Sequence, residues 1–335
     1  VGHGIGMNQT KSRIIRGALR ATLTMLSTTA VAIAPGCMLA SPSRSSIAPP
    51  PARLAAENVV FPSESGSRIH AWLVRGRPGG GAVLLLHGVG ANRSSMLGRA
   101  QFLHDDGFTV LAPDFQAHGE SPGDHVTFGA RESLDAAAAL KFLRNVAPAE
   151  SIGVIGVSMG GAATLLGPGP IPADAFVLES VYPTIRQAVS DRLATWFGPL
   201  GAIGRWFTPA VINIVGNEIG VSESELQPIS RIGKIHAPLL LIAGTEDPYT
   251  PLAEAESLYA RAPAPKSFWA VKGAGHEDIH AFERQEYEKR VGNFLMRHLQ
   301  TGPAITGADN NGPRATDSTR ATRSATQPSD RYVTP

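Results

Sequence analysis

The sequence predicts an α/β fold with a mostly parallel central sheet and helices on both faces. Three observations predict it. Short apolar runs that end in Gly or Pro recur along the middle of the chain. Stretches with helical spacing separate them, the alternation that builds a parallel sheet covered on both sides. The residues with the sharpest chemistry fall just past the ends of those runs, where such sheets place ligands.

The bulk numbers allow this fold and exclude others. The 335 residues suffice for one large α/β domain, since such domains run to about 200–250 residues. Hydrophobic content of 43% against 17% charged supports a sizeable core. A net charge of +2, with no basic stretch interleaved with aromatics, gives no reason to expect a nucleic-acid partner. Cys37 is alone, so no internal disulfide can form.

Residues 1–36 read as an export leader. Lys11, Arg13, Arg16 and Arg20 precede a charge-free run over residues 21–34. That run has the length of a signal-peptide core and falls short of the about 20 residues a membrane span needs. The following Ala34-Pro35-Gly36-Cys37 resembles a bacterial lipoprotein signal, although Ala34 stands where Leu is usual and Pro35 is atypical. The resemblance implies lipid on Cys37, an exported protein in the cell envelope and membrane association through that lipid. The alternatives are secretion with an unused Cys, or a cytoplasmic protein. Residues 37–56 are rich in Ser, Pro and Ala and read as an extended, unpacked linker. Residues 57–300 form the expected domain. Residues 301–335, rich in Thr, Ser, Asn and Gly, read as a disordered tail.

Within the domain, residues 59–61 and 69–74 read as an antiparallel hairpin. Strands follow at 82–86 (AVLLL), 108–112 (FTVLA), 151–157 (SIGVIGV), 175–178 (AFVL), 238–243 (PLLLIA) and 267–271 (SFWAV). Helices are expected over 94–106, 129–145, 159–166 and 281–299. Residues 182–236 separate two strands and should form a small helical cap. Its Trp196, Phe197, Trp206 and Phe207 either bury against the domain or line an apolar acyl pocket.

The candidate nucleophile is Ser158. Gly156-Val157-Ser158-Met159-Gly160 fits Gly-x-Ser-x-Gly between a strand and a helix of small residues, the context of a nucleophile elbow. The helix start would aim N–H groups at developing negative charge. Gly119-Glu120-Ser121-Pro122-Gly123 matches the same pattern. Pro122 has no N–H to give an oxyanion and no helix starts there, so Ser121 reads as a turn residue. His87-Gly88-Val89-Gly90 ends the first core strand, and the backbone N–H groups of Val89 and Met159 are the expected oxyanion donors. His87 itself reads as structural.

The order Ser, then acid, then His continues downstream. Asp247, in Gly244-Thr245-Glu246-Asp247-Pro248, is the expected acid, with Glu246 its rival. His276, after Lys272-Gly273-Ala274-Gly275, is the expected base, with His280 its rival. Asp278 reads as a helix cap. A Ser hydroxyl is a weak nucleophile near neutral pH, so it needs a neutral imidazole as base and a carboxylate to orient that imidazole.

On these residues the chain resembles the α/β-hydrolase superfamily, most closely its serine-aminopeptidase-like and prolyl-oligopeptidase-like single-domain branch. The stretches that carry the resemblance are LLLHGVGANRSSM, VLAPDFQAHGESPG, IGVIGVSMGGA, GTEDPYTP and GAGHEDI, spanning roughly residues 59–299. It implies an α/β-hydrolase fold and Ser158, Asp247 and His276 as a triad. Gly167-Pro168-Gly169-Pro170 and Gln116 depart from the usual pattern without touching the triad. The expected activity is hydrolysis of small carboxylic esters or thioesters through an acyl-enzyme, with no cofactor and no metal. The alternatives are a peptidase or amidase, and a non-catalytic envelope-bound binding protein on the same scaffold. The sequence does not give the oligomeric state.

Overall fold

The computed structural model describes residues 40–300. The predicted leader, Cys37 and the tail lie outside them.

Eight strands form one sheet. In chain order they are β2 (Glu57–Pro62), β3 (Arg68–Val74), β4 (Ala82–Leu86), β5 (Thr109–Pro113), β7 (Ile152–Val157), β8 (Ala175–Glu179), β9 (Leu239–Gly244) and β10 (Lys266–Val271). Two short strands, β1 (Ser43–Arg44) and β6 (His118–Gly119), pair with each other outside it. The spatial order of the large sheet is β10-β9-β8-β7-β4-β5-β3-β2. β2–β3 and β3–β5 are antiparallel and every other pair is parallel. The predicted fold class and leading hairpin are therefore present.

Burial explains the continuous apolar runs. Every residue of β4, β5, β8 and β9 is buried, as expected where helices cover both faces. Side chains alternate between faces, so Leu84 and Leu86 enter one core and Val83 and Leu85 the other. Helices α2 (Glu132–Val146) and α3 (Met159–Leu165) pack on the first face, through Ala139, Leu143 and Ala162. Helices α1 (Leu97–Asp105) and α9 (Arg284–Leu299) cover the second, through Leu103, Tyr287 and Leu295.

Between β8 and β9 the chain forms the predicted cap, with α4 (Ile185–Phe197), α5 (Gly201–Trp206) and α6 (Thr208–Ile219). The sheet order reverses at β4, which lies between β5 and β7. The crevice at that reversal is where a doubly wound sheet offers its ligand site.

Three expectations need correction. Residues 40–54 are not an unpacked linker: Ala40 and Leu54 are buried, and Ser43 N–H bonds Ala117 O at 2.7 Å. Pro and Ser lower helix propensity there, but backbone pairing with β6 holds the segment. The final helix is interrupted at Glu283, leaving a short α8 (Ile279–Phe282) before α9. Helix α7 (Leu252–Arg261) was not expected, although Leu252, Ala255, Leu258 and Tyr259 recur at helical spacing and face the core. Among the described residues no helix is long and apolar enough to cross a membrane.

Candidate active site

Ser158 stands at the turn from β7 into α3, with φ 50° and ψ −115°. A side chain rarely occupies that region, and the strain marks a constrained turn. The flanking glycines are required by close approach. A Cβ on Gly160 would lie 2.3 Å from Leu86 O, and one on Gly156 would lie 2.6 Å from Gly161 Cα. Ser158 N–H donates to Glu179 O at 2.7 Å, and Ser158 O accepts from Ala162 N at 3.0 Å. The turn is thus tied to β8 on one side and to its own helix on the other. The Gly-Pro-Gly-Pro segment after it limits α3 to seven residues.

His276 and Asp247 meet although they come from different strand ends. Asp247 follows β9 and His276 follows β10. His276 Nδ1 lies 2.7 Å from Asp247 Oδ2. A carboxylate only accepts, so Nδ1 carries the proton and Nε2 is left as the acceptor. Asp247 Oδ1 accepts from the N–H groups of Tyr249 (2.8 Å) and Thr250 (2.9 Å), and Oδ2 accepts from Thr250 Oγ1 at 2.6 Å. Burial pushes the Asp247 carboxyl up, but His276 and Thr250 outweigh it and hold it below its ordinary value. Asp247 therefore stays ionised near neutral pH.

The rival residues go elsewhere. Glu246 is exposed. His280 is buried, stacks on Phe102 and bonds Glu288 through Nε2 at 3.1 Å. Asp278 caps α8, its side chain accepting from His280 N at 3.1 Å. Ser121 is fully buried, accepts from His70 N at 3.0 Å and donates to Asp114 O at 2.8 Å. His87 is also fully buried. Its Nε2 accepts from Phe115 N at 3.1 Å and its Nδ1 lies 2.8 Å from Gly88 O. Burial and the neighbouring His118 push His87 down to about 3, so it is a neutral brace for the loop.

That loop presents Val89. Ser158, His276, Val89 and Met159 all open on one cavity beneath the cap. Among the described residues, neither the Val89 nor the Met159 N–H has a protein acceptor. The empty space there, its solvent-open mouth included, is about 910 Å³, and its walls are almost wholly apolar, including Phe128, Tyr182, Val189 and Val215. Trp196 lines it too, while Phe197 and Phe207 stack on each other at 6.1 Å against the core and Trp206 stands 83% exposed. The four cap aromatics thus divide between both expected roles and solvent. Among the described residues no three His, Cys, Asp or Glu side chains gather as a metal site.

Sequence reasoning missed the residues that support these groups. Thr250 had a signal, since it stands three residues after Asp247 in an Asx-type turn. Arg99, Glu179 and Tyr287 had none. They form a buried cluster, with Arg99 Nη2 2.7 Å from Glu179 Oε2, Arg99 Nε 3.0 Å from Tyr287 Oη, and Tyr287 Oη donating to Glu179.

Comparison with known proteins agrees with this fold. The model of the alpha/beta hydrolase family matches residues 83–289. An uncharacterized protein of Mycobacterium tuberculosis, Rv2307c, is 31% identical over 78% of this chain and 85% of its own length. YqkD of Bacillus subtilis, also uncharacterized, is 28% identical over 70% of this chain and 78% of its own. Among solved structures, the esterase Pf2001 of Pyrococcus furiosus aligns with a TM-score of 0.64 and 26% identity, covering 77% of this chain and 98% of that one. An esterase from Exiguobacterium antarcticum, at 15% identity and a TM-score of 0.53, shares the fold.

Proposed function

We propose that this chain, which belongs to the alpha/beta hydrolase family, is a serine hydrolase that cleaves carboxylic esters or thioesters with an apolar acyl part. One observation carries the reading. The His276–Asp247 pair, bonded at 2.7 Å, opens with Ser158 onto a single apolar cavity.

In the proposed course, His276 Nε2 takes the Ser158 proton as Oγ attacks the substrate carbonyl. Asp247 keeps the proton on Nδ1 and stabilises the imidazolium that forms. The Val89 and Met159 N–H groups receive the oxyanion, a contribution worth about 2.7–4 kcal/mol per donor in comparable sites. His276 then protonates the leaving group, and water, activated by the same imidazole, releases the acid. Esters are favoured over peptides by the lining. Its acid, Glu223, is held by Arg186 at 2.6 Å and is not free to receive a peptide amine.

The test is turnover of p-nitrophenyl esters from butyrate to palmitate, beside matched anilides, by wild type and Ser158→Ala. Ester release that disappears in Ser158→Ala supports the reading. Anilide turnover exceeding ester turnover would move the assignment to an amidase, and ester release retained by Ser158→Ala would remove Ser158 as nucleophile.

A further inference from the structure

The cap places a cation on the wall of this cavity. Arg192, on α4, lines it beside the apolar side chains. Its guanidinium lies 4.6 Å above the ring of Tyr249. That ring in turn stands edge to face with His276, centroids 5.5 Å apart. The cation is therefore one aromatic ring away from the candidate base. Stacking fixes one face of a guanidinium and leaves its in-plane N–H donors available.

Among the described residues Arg192 has neither an ion-pair nor a hydrogen-bond partner. The acids around it are committed elsewhere. Asp247 accepts from Tyr249 N, Thr250 N, Thr250 Oγ1 and His276. Asp191, its chain neighbour, is paired with Arg205 at 3.3 Å. Glu223, the other charged residue of the lining, is paired with Arg186 at 2.6 Å. Burial lowers the Arg192 pKa, with Tyr249 and Asp247 opposing. A half-buried cation on an apolar wall is costly until an anion joins it, and the cavity leaves that anion to the ligand.

We propose that Arg192 is a specificity-determining residue that receives a carboxylate carried by the substrate, so that the preferred esters or thioesters bear a free carboxylate as well as an apolar chain. The inference rests on the serine hydrolase reading and narrows its substrate class. A carboxylate fits better than a phosphate. One guanidinium matches one planar monoanion with two parallel hydrogen bonds, whereas a dianion would enter an apolar cavity with a charge left uncompensated.

Binding tests this without turnover, on the Ser158→Ala protein. Monomethyl hexanedioate, octanedioate and decanedioate are titrated by calorimetry against methyl hexanoate, octanoate and decanoate. The expected result is that at least one hemiester binds roughly tenfold or more tighter than its neutral partner, the scale of a charge-assisted pair. Adding Arg192→Met should abolish that preference, and Arg192→Lys should retain only part of it. Equal affinities in Ser158→Ala, or a preference that survives Arg192→Met, would overturn the proposal. If Arg192→Met does not fold, the hemiester-to-ester comparison in Ser158→Ala decides alone. Loss of the catalytic reading would show separately, as unlabelled wild type in an active-serine probe assay, and would leave the binding comparison intact.

Discussion

Glu179, at the C-terminal end of the interior strand β8, is bonded to Arg99, Oε2 to Nη2 at 2.7 Å, with both side chains almost fully buried. The pair joins the two halves of the candidate site. The Glu179 backbone carbonyl accepts the Ser158 N–H at 2.7 Å. Arg99 Nη1 bonds Asp278 at 2.7 Å, two residues beyond His276. One ion cluster thus fixes both the serine turn and the loop that carries the imidazole.

Arg99→Met should destabilise the domain by about 3–5 kcal/mol, because it leaves the Glu179 carboxylate buried without its counter-ion. Replacing both residues with apolar side chains should recover much of that loss. Urea unfolding of the two variants checks it. A single variant as stable as wild type would mean that buried Glu179 does not depend on Arg99 as its counter-ion.

Asp247→Asn should keep the fold and lower kcat by roughly 10³–10⁴-fold, since an amide no longer selects the Nδ1–H tautomer or stabilises the imidazolium. Steady-state kinetics on a short p-nitrophenyl ester reads the effect. A loss of less than tenfold would show that Thr250 and the loop alone orient His276.

Ser158 is held at φ 50°, a region that glycine enters freely and alanine does not. Ser158→Gly should therefore be more stable than Ser158→Ala by about 1 kcal/mol, the low end of the usual cost of such strain. Both should lack turnover. Paired denaturation curves measure the difference, and equal stabilities would mean the turn is not strained.

What could be read from the sequence, and what could not, follows from range. The strands were legible as apolar runs because both faces of the sheet are covered. The placement of Ser158, Asp247 and His276 was legible because each follows a strand within a short Gly- or Pro-bearing turn. Arg99, Glu179 and Tyr287 were not, because nothing local marks a cluster drawn from α1, β8 and α9. Residues 40–54 misled for the opposite reason: a Pro- and Ser-rich composition describes local stiffness and says nothing of the backbone pairing with His118 and Gly119. Arg192 was equally silent, since its exposure to the cavity depends on how the cap folds over Tyr249.

The contact between cap and body should respond to pH. Glu254, at the start of α7, faces Asp191 on α4. Burial first, then the Asp191 charge and the hydrogen bond the two share, push Glu254 up to about 8, and Asp191 is raised as well. The pair titrates together. Because the folded value lies above the unfolded one, the folded protein binds more protons between about pH 5 and pH 8, and stability falls as pH rises through that window. Glu254→Gln removes the titration. Its melting temperature should match wild type near pH 5 and exceed it by roughly 2–4 °C above pH 8. A difference independent of pH would contradict this.

Ser158, and no other serine, is the proposed nucleophile. The first measurement is labelling of the folded protein with a fluorophosphonate probe, in wild type, Ser158→Ala and Ser121→Ala, with folding of each confirmed by circular dichroism. Wild type should be labelled and Ser158→Ala should not. Ser121→Ala, whose lost hydroxyl lies in a buried turn, should also be labelled wherever it folds. An unlabelled wild type, or a labelled Ser158→Ala, would remove Ser158 as the nucleophile.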